Sequence, residues 1–146
     1  MMSVNNQKAL LTFRLADQYY ALPIENVIEV AAMMRVSTLS NAPAAILGLI
    51  NRHGAAVPIL DLRIAFNLIA TGLDESTLFI VAQGSNYHVG LIVDEILQVK
   101  YVDESAVKVA QGLGRYTTHI ISDGEQLYQQ VQLQTLYEDY LKTIES

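Results

Sequence analysis

Three histidines, His53, His88 and His119, are the side chains in this chain most suited to proton transfer or metal ligation. They are too widely spaced for the H-E-x-x-H pattern that places two imidazoles on one helix face, and with no cysteine no thiolate can complete a zinc site. The adjacent carboxylates Asp94-Glu95 and Asp103-Glu104 point to opposite faces of an extended chain, so neither pair can share a proton. There is no G-x-S-x-G elbow and no thiol nucleophile. Gly112-Leu113-Gly114-Arg115 lacks the six-position phosphate-binding fingerprint and reads as a flexible loop. His53 sits in a turn signal, where a solvated imidazole is the ordinary state. His88 alternates with Tyr87 and Val89 on a strand pattern, which turns it outward. The expectation is a protein that is not an enzyme, with no metal and no cofactor.

The elements that hold these residues are mostly short strands. Leu11, Phe13 and Leu15 alternate with Thr12 and Arg14, and after the break at Asp17-Gln18 the segment Tyr19 to Pro23 resumes as the second arm of a hairpin. Ile24 to Val30 fits one or two helical turns running into a strand. The compact apolar run Ala44 to Ile50 follows Pro43. Asn51-Arg52-His53-Gly54 predicts a turn in which Gly54 takes a positive φ, and Ala55 to Leu60 returns as a strand. Pro58 within it implies an edge or a bulge. Asp61 is placed to cap a short helix over Leu62 to Leu68. A loop at residues 70–76 is the expected seam between two halves. Leu78 to Ala82 and Tyr87 to Val93 form a further hairpin, Asp94 to Tyr101 is mixed in style, and residues 103–118 read as loop. Ile120-Ile121 and Leu127 to Leu133 flank the Asp123-Gly124 turn. Leu136, Tyr137, Tyr140, Leu141 and Ile144 recur at helical spacing.

Apolar residues make up 51% of the 146 and charged residues 16%, which supports a folded core and excludes disorder. The longest apolar run, Ala42 to Ile50, is interrupted by a proline and is far shorter than the roughly 20 residues of a membrane span. The first eight residues lack the build of a secretory signal. A cysteine-free chain fits a reducing compartment, so the expected address is cytoplasmic. Residues 1–73 carry five basic and four acidic side chains, while residues 74–146 carry four and eleven, so the net charge of −6 is concentrated in the second half. Phosphate backbones are poor partners for such a surface, and no nucleic acid is expected.

Gly48-Leu49-Ile50-Asn51-Arg52-His53-Gly54-Ala55-Ala56-Val57-Pro58-Ile59-Leu60-Asp61-Leu62-Arg63 resembles the signature G-V-I-N-L-R-G-x-V-V-P-V-I-D-L-R of the CheW family, the coupling proteins of bacterial chemotaxis. Phe13 to Ile24 is similar to the family's opening hairpin, Val27-Ile28-Glu29-Val30 to the segment after it, Asn41-Ala42-Pro43 to the approach to the signature, and Val89 to Asp94 to its V-G-I-V-V-D strand. The resemblance runs from about residue 10 to residue 100. It implies a mainly β fold of two SH3-like five-stranded barrels on a shared core, with short helices and a C-terminal helix. A single domain over residues 8–146 would follow a flexible N-terminus at 1–7.

The resemblance also implies a non-catalytic adaptor between the cytoplasmic tip of a chemoreceptor and the regulatory domain of a CheA-type histidine kinase, recruited to membrane receptor arrays without inserting in the membrane. Carried over by position, the partner-binding residues are Val27, Glu29, Gly48, His53, Leu78, Ile96 and Val99. Gly48 is the place of close backbone approach, and Glu29 and His53 are polar rim groups. Arg52-His53 stands where the family has Leu-Arg, which moves the charge one place and predicts the opposite strand face. The loose C-terminal third fits a divergent chemosensory pathway, such as one governing surface motility or biofilm. Two alternatives stay open: a regulatory domain of a kinase- or receiver-fused protein, against which the Met1 start and closing helix favour a free-standing chain, and a small-molecule sensor using the groove between the barrels.

Overall fold

The computed structural model describes residues 6–144. Eleven strands form two sheets. The first hairpin pairs β1 (Gln7–Leu15) with β2 (Gln18–Pro23), and a 3-10 turn at Ile24–Asn26 leads into β3 (Val27–Ala32). The signature hairpin is β4 (Ile46–Arg52) and β5 (Ala55–Asp61), followed by the single-turn α1 (Leu62–Ala65). Next come β6 (Leu78–Gln83), β7 (His88–Ile92), β8 (Glu95–Asp103), the short β9 (Val107–Val109), β10 (Thr117–Asp123) and β11 (Gln126–Val131). The chain closes with α2 (Leu133–Leu136), which widens into a π-helical turn at Tyr137–Leu141.

One sheet has the order β8-β1-β2-β11-β10-β9 and the other β3-β6-β7-β5-β4. Each contains one parallel pair, β11 with β2 and β5 with β7. The five-stranded sheet curls until its edges meet. Ser37, just beyond β3, exchanges two 2.8 Å backbone hydrogen bonds with Leu49 of β4, and Arg52 of β4 reaches Glu29 of β3. Ile50, Val57, Ile59, Phe79, Val81 and Ile92 fill this barrel. In the six-stranded sheet the outer strands β8 and β9 are joined by the 3-10 turn Glu104–Ala106, and Val102 and Val107 meet Leu10, Ala21, Ile121 and Tyr128 inside.

A third and larger cluster lies between the barrels. Phe13, Leu15, Leu22, Leu60, Ile80, Leu91 and the helix residues Leu133, Leu136 and Leu141 belong to it. Strands β5, β6 and β7 therefore bury both faces, one inside their barrel and one between the barrels, which is why they read as near-continuous apolar runs. The crowding is close at Gly90. A Cβ there would lie 2.4 Å from Ile59 Cδ1 and 3.0 Å from the Phe79 ring.

Several expectations change. The first barrel has six strands, not five, because β9 lies within the stretch 103–118, where the sequence predicts loop. Three mostly exposed residues are too few to display a strand period. Of the segment 94–101, Asp94 is a bend and Glu95 onward is strand, as part of β8. Residues 70–76 join α1 to β6, both on the side of the second barrel. The chain instead changes sheet at residues 24–26 and 93–94, so the seam is not at 70–76. The helix after Asp61 stops at Ala65 because Asn67 takes φ +61, although Asp61 does cap it through the Arg63 N–H at 3.0 Å.

Pro58 is not on an edge strand, since β5 lies between β4 and β7. It is tolerated because the β7 pairing begins only at Ile59, and the β4 ladder shifts register close by. The C-terminal helix begins at Leu133, where the apolar pattern predicts the end of a strand. Of the N-terminal stretch 1–7, residues 1–5 lie outside the described residues. Asn6 accepts the Glu104 N–H and Gln7 opens β1, so these two belong to the folded part.

Candidate functional site

Each barrel contributes one strand with a β-bulge to the mouth of the shared core. In β3, Val27 opposes Ala82 and Val30 opposes Ile80, so three residues advance along β3 for two along β6. Ala82 and Ile80 face the interbarrel core, and antiparallel partners share a face. Val27 and Val30, three apart, therefore look the same way. The extra residue, Ile28, turns into the barrel. In β8 the same step recurs: Ile96 opposes Phe13 and Val99 opposes Leu11, and both partners belong to the interbarrel core. Here the bulge is held by buried Thr12, whose hydroxyl donates to the Gln98 carbonyl at 2.7 Å and accepts the Gln98 N–H at 3.2 Å.

The two walls are apolar and half open. Val30 is 40% exposed, Leu78 48% and Val99 42%, well above the level of buried core. Leu78 opposes Ala32 at the outer end of the β6 face that carries Ile80. A cleft of about 300 Å³ opens between Leu78 and Ile96, with Arg63, Thr71 and Asp94 among its polar lining residues. A larger hollow of about 580 Å³ lies between the β4–β5 hairpin, the β6–β7 turn and the C-terminal helix, and it contains none of the residues expected at the site.

The seven expected residues thus fall into two groups. Leu78 and Ile96 meet across the cleft, while Val27 lies on the sheet face of Leu78 and Val99 on that of Ile96. Glu29, Gly48 and His53 lie where the second barrel closes. Gly48 is buried, has φ +148, and a Cβ on it would lie 2.1 Å from the Ser37 carbonyl oxygen. Its close backbone approach is to its own chain. His53 is exposed at the hairpin tip with φ +53, and Gly54 follows with φ +85, the two positive values of a type I′ turn. Gly54 N–H donates to Asn51 Oδ1 at 2.9 Å.

The charge carried by Arg52 remains engaged at this edge, because its Nε donates to Glu29 Oε2 at 2.8 Å. Val30 is not among the residues expected from the sequence. Its alternation alone would set it opposite Val27, and only the bulge brings the two together.

Below the cleft lies the most buried ionic group in the described residues. Arg63 and Asp61 are each 3% exposed at the side chain. Arg63 donates through Nε and Nη2 to the two Asp61 oxygens, both at 3.0 Å, through Nη1 to Thr71 Oγ1 at 3.2 Å and Asp94 Oδ1 at 3.3 Å, and through Nη2 to the Thr71 carbonyl at 3.0 Å. That uses all five guanidinium N–H groups. The hydrogen bonds to Asp61 raise the Arg63 pKa above the ordinary arginine value, against the opposing effect of burial. The sequence identifies Asp61 as a cap, but carries no signal for this cluster, since Asp94 is distant in the chain.

Arg115 and Tyr116 both bind the Asp139 carboxylate of the C-terminal helix, Arg115 Nη2 at 2.8 Å and the Tyr116 hydroxyl at 2.7 Å. These bonds, the arginine's first, hold Asp139 down at about 2. Among the described residues, no helix is long and apolar enough to cross a membrane, and no three His, Asp or Glu side chains group to hold a metal ion.

A family model described as the CheW-like domain matches residues 9–139. The chain is 32% identical over 100 residues to the chemotaxis protein CheW of Klebsiella aerogenes, a match covering 68% of this chain but only 60% of that protein's length. It is 27% identical over 154 aligned positions to the chemotaxis protein CheW of Treponema pallidum, covering 92% and 91% of the two chains. The crystal structure of the scaffolding protein TtCheW from Thermoanaerobacter tengcongensis superposes with a TM-score of 0.83 at 25% identity, over 90% of this chain and 92% of that one.

Proposed function

The chain belongs to the CheW-like domain family, and from that premise we propose that it is a non-catalytic adaptor linking the cytoplasmic tip of a chemoreceptor to a CheA-type histidine kinase. The observation that carries this reading is the half-open cleft between Leu78 of one barrel and Ile96 of the other, with Val27 and Val30 on the sheet face of Leu78 and Val99 on that of Ile96. Half-exposed aliphatic side chains on strands of both barrels suit the apolar face of a helix, a mode of recognition that needs no reacting group. A receptor tip is such a helical surface. The kinase would be held by a separate face, and the protein would act in the cytoplasm at receptor clusters. Glu29 and Arg52, at the closing edge of the second barrel, supply a charged rim that favours register over affinity.

The test is co-sedimentation of the purified chain with a receptor cytoplasmic fragment, with and without the kinase regulatory domain. Leu78→Glu and Val99→Glu replace half-exposed residues and should leave the melting temperature near that of the parent, while receptor capture is lost. Capture by both variants at the parent level would refute the groove assignment. Failure of the parent chain to bind either partner would refute the adaptor reading.

A further inference from the structure

We infer that Arg63, together with Asp61 and Asp94, is a positioning residue that fixes how the two barrels meet and so sets the opening between Leu78 and Ile96; the consequence for partner binding rests on the groove reading above. The cluster spans the junction between the barrels. Asp61 ends β5 of the second barrel and holds the guanidinium with two parallel bonds of 3.0 Å. Asp94 lies in the two-residue crossing from β7 to β8, where the chain passes back to the first barrel. It is fastened to that barrel twice: its Oδ2 accepts the Ala16 N–H of the β1–β2 turn at 2.7 Å, and its own N–H donates to the Arg14 carbonyl at 3.1 Å. Its other oxygen, Oδ1, accepts from Arg63 at 3.3 Å. The guanidinium is thus the link between a carboxylate of one barrel and a carboxylate anchored to the other.

Arginine is the side chain this link requires. Its planar fork meets Asp61 bidentately while its remaining N–H groups reach Asp94 and Thr71 in fixed directions, and lysine has three donors and no fork. The same Arg63, Thr71 and Asp94 line the cleft whose apolar sides are Leu78 and Ile96. A change in the span from Arg63 to Asp94 therefore acts on the distance between those two residues. The interbarrel core is largely aliphatic and aromatic, and the ionic link adds a charged, directional constraint at this end of it.

The chain has no cysteine, so two can be added for spin labels without background. Leu127, 54% exposed on β11, and Ala55, exposed at the start of β5, report one barrel each. The label-to-label distance distribution is measured by pulsed electron spin resonance in the parent, in Asp94→Asn and in Arg63→Lys. Asp94→Asn keeps the carbonyl that can accept from Ala16 and leaves the Asp61–Arg63 pair intact, so each barrel retains its fold. The expected result is a broadened or shifted distribution in both variants. Capture of the receptor fragment should weaken roughly tenfold if the competent arrangement falls to about a tenth of the population. An unchanged distribution in Asp94→Asn, whatever its melting temperature, overturns the positioning role. A changed distribution with undiminished capture upholds that role and overturns the assignment of this cleft to the partner.

Discussion

Gly48→Ala separates a residue that contacts a partner from one that holds the barrel shut. The glycine has φ +148, a conformation that costs a side-chain-bearing residue about 1–3 kcal/mol. The added Cβ would also lie 2.1 Å from the Ser37 carbonyl oxygen and 2.8 Å from its carbon, both backbone atoms that cannot rotate away. The segment at Ser37 must then withdraw from β4, and the two 2.8 Å bonds between Ser37 and Leu49 are strained or lost, at a net of about 0.5–1.5 kcal/mol each. Together these put the loss at about 2–6 kcal/mol, and for a chain of this size each kcal/mol lowers the melting temperature by about 2–4 °C. Urea denaturation followed by circular dichroism reads the change as a lower midpoint at unchanged slope. Receptor capture at saturating, fully folded protein should fall little, in contrast to Leu78→Glu. A Gly48→Ala variant within about 0.5 kcal/mol of the parent, the range of an ordinary surface change, would show the reasoning wrong. Lost capture in that stable variant would return Gly48 to the partner surface.

Two further predictions concern the second barrel and the C-terminal helix. Gly90→Ala should cost about 1–3 kcal/mol by overpacking, and adding Ile59→Val, which removes the Cδ1 lying 2.4 Å from the new methyl, should recover most of it; equal loss in the single and double variants by chemical denaturation would refute the packing account. Asp139 has its pKa depressed in the fold, to about 2 from about 3.9 in an unfolded chain, so its contribution is fully present above about pH 4 and is lost as pH falls through about 2. The stability difference between the parent and Asp139→Asn should accordingly be flat above pH 4 and shrink below it, and a difference that grew on acidification would invert the assignment.

The sequence by itself determined the family, the β-rich class and most of the hairpins. These depend on local chemistry: Leu11, Phe13 and Leu15 alternate, His53-Gly54 supplies a two-residue turn, and Asp61 caps the helical turn that begins at Leu62. It also indicated that His53 and His88 face solvent, and both are exposed, at the β4–β5 turn and at the start of β7. It did not reveal β9, whose three residues carry no period, nor the point where the chain changes barrel, because both barrels are built from the same kind of strand.

The site depended most on tertiary structure. A strand's side chains alternate, so Val27 and Val30, or Ile96 and Val99, should look in opposite directions. Each pair shares a face only because a neighbouring strand forces one extra residue into the ladder. Gly48 is a place of close approach, as its residue type suggests, but what approaches it is Ser37 of the same chain, a contact made by barrel closure. Arg63 shows the same limit. Its type and its spacing from Asp61 are visible in the sequence, whereas its bond to Asp94 exists only once two barrels are packed together. Local residue chemistry fixes which strands and turns form; the register between strands and the packing between barrels decide which side chains meet.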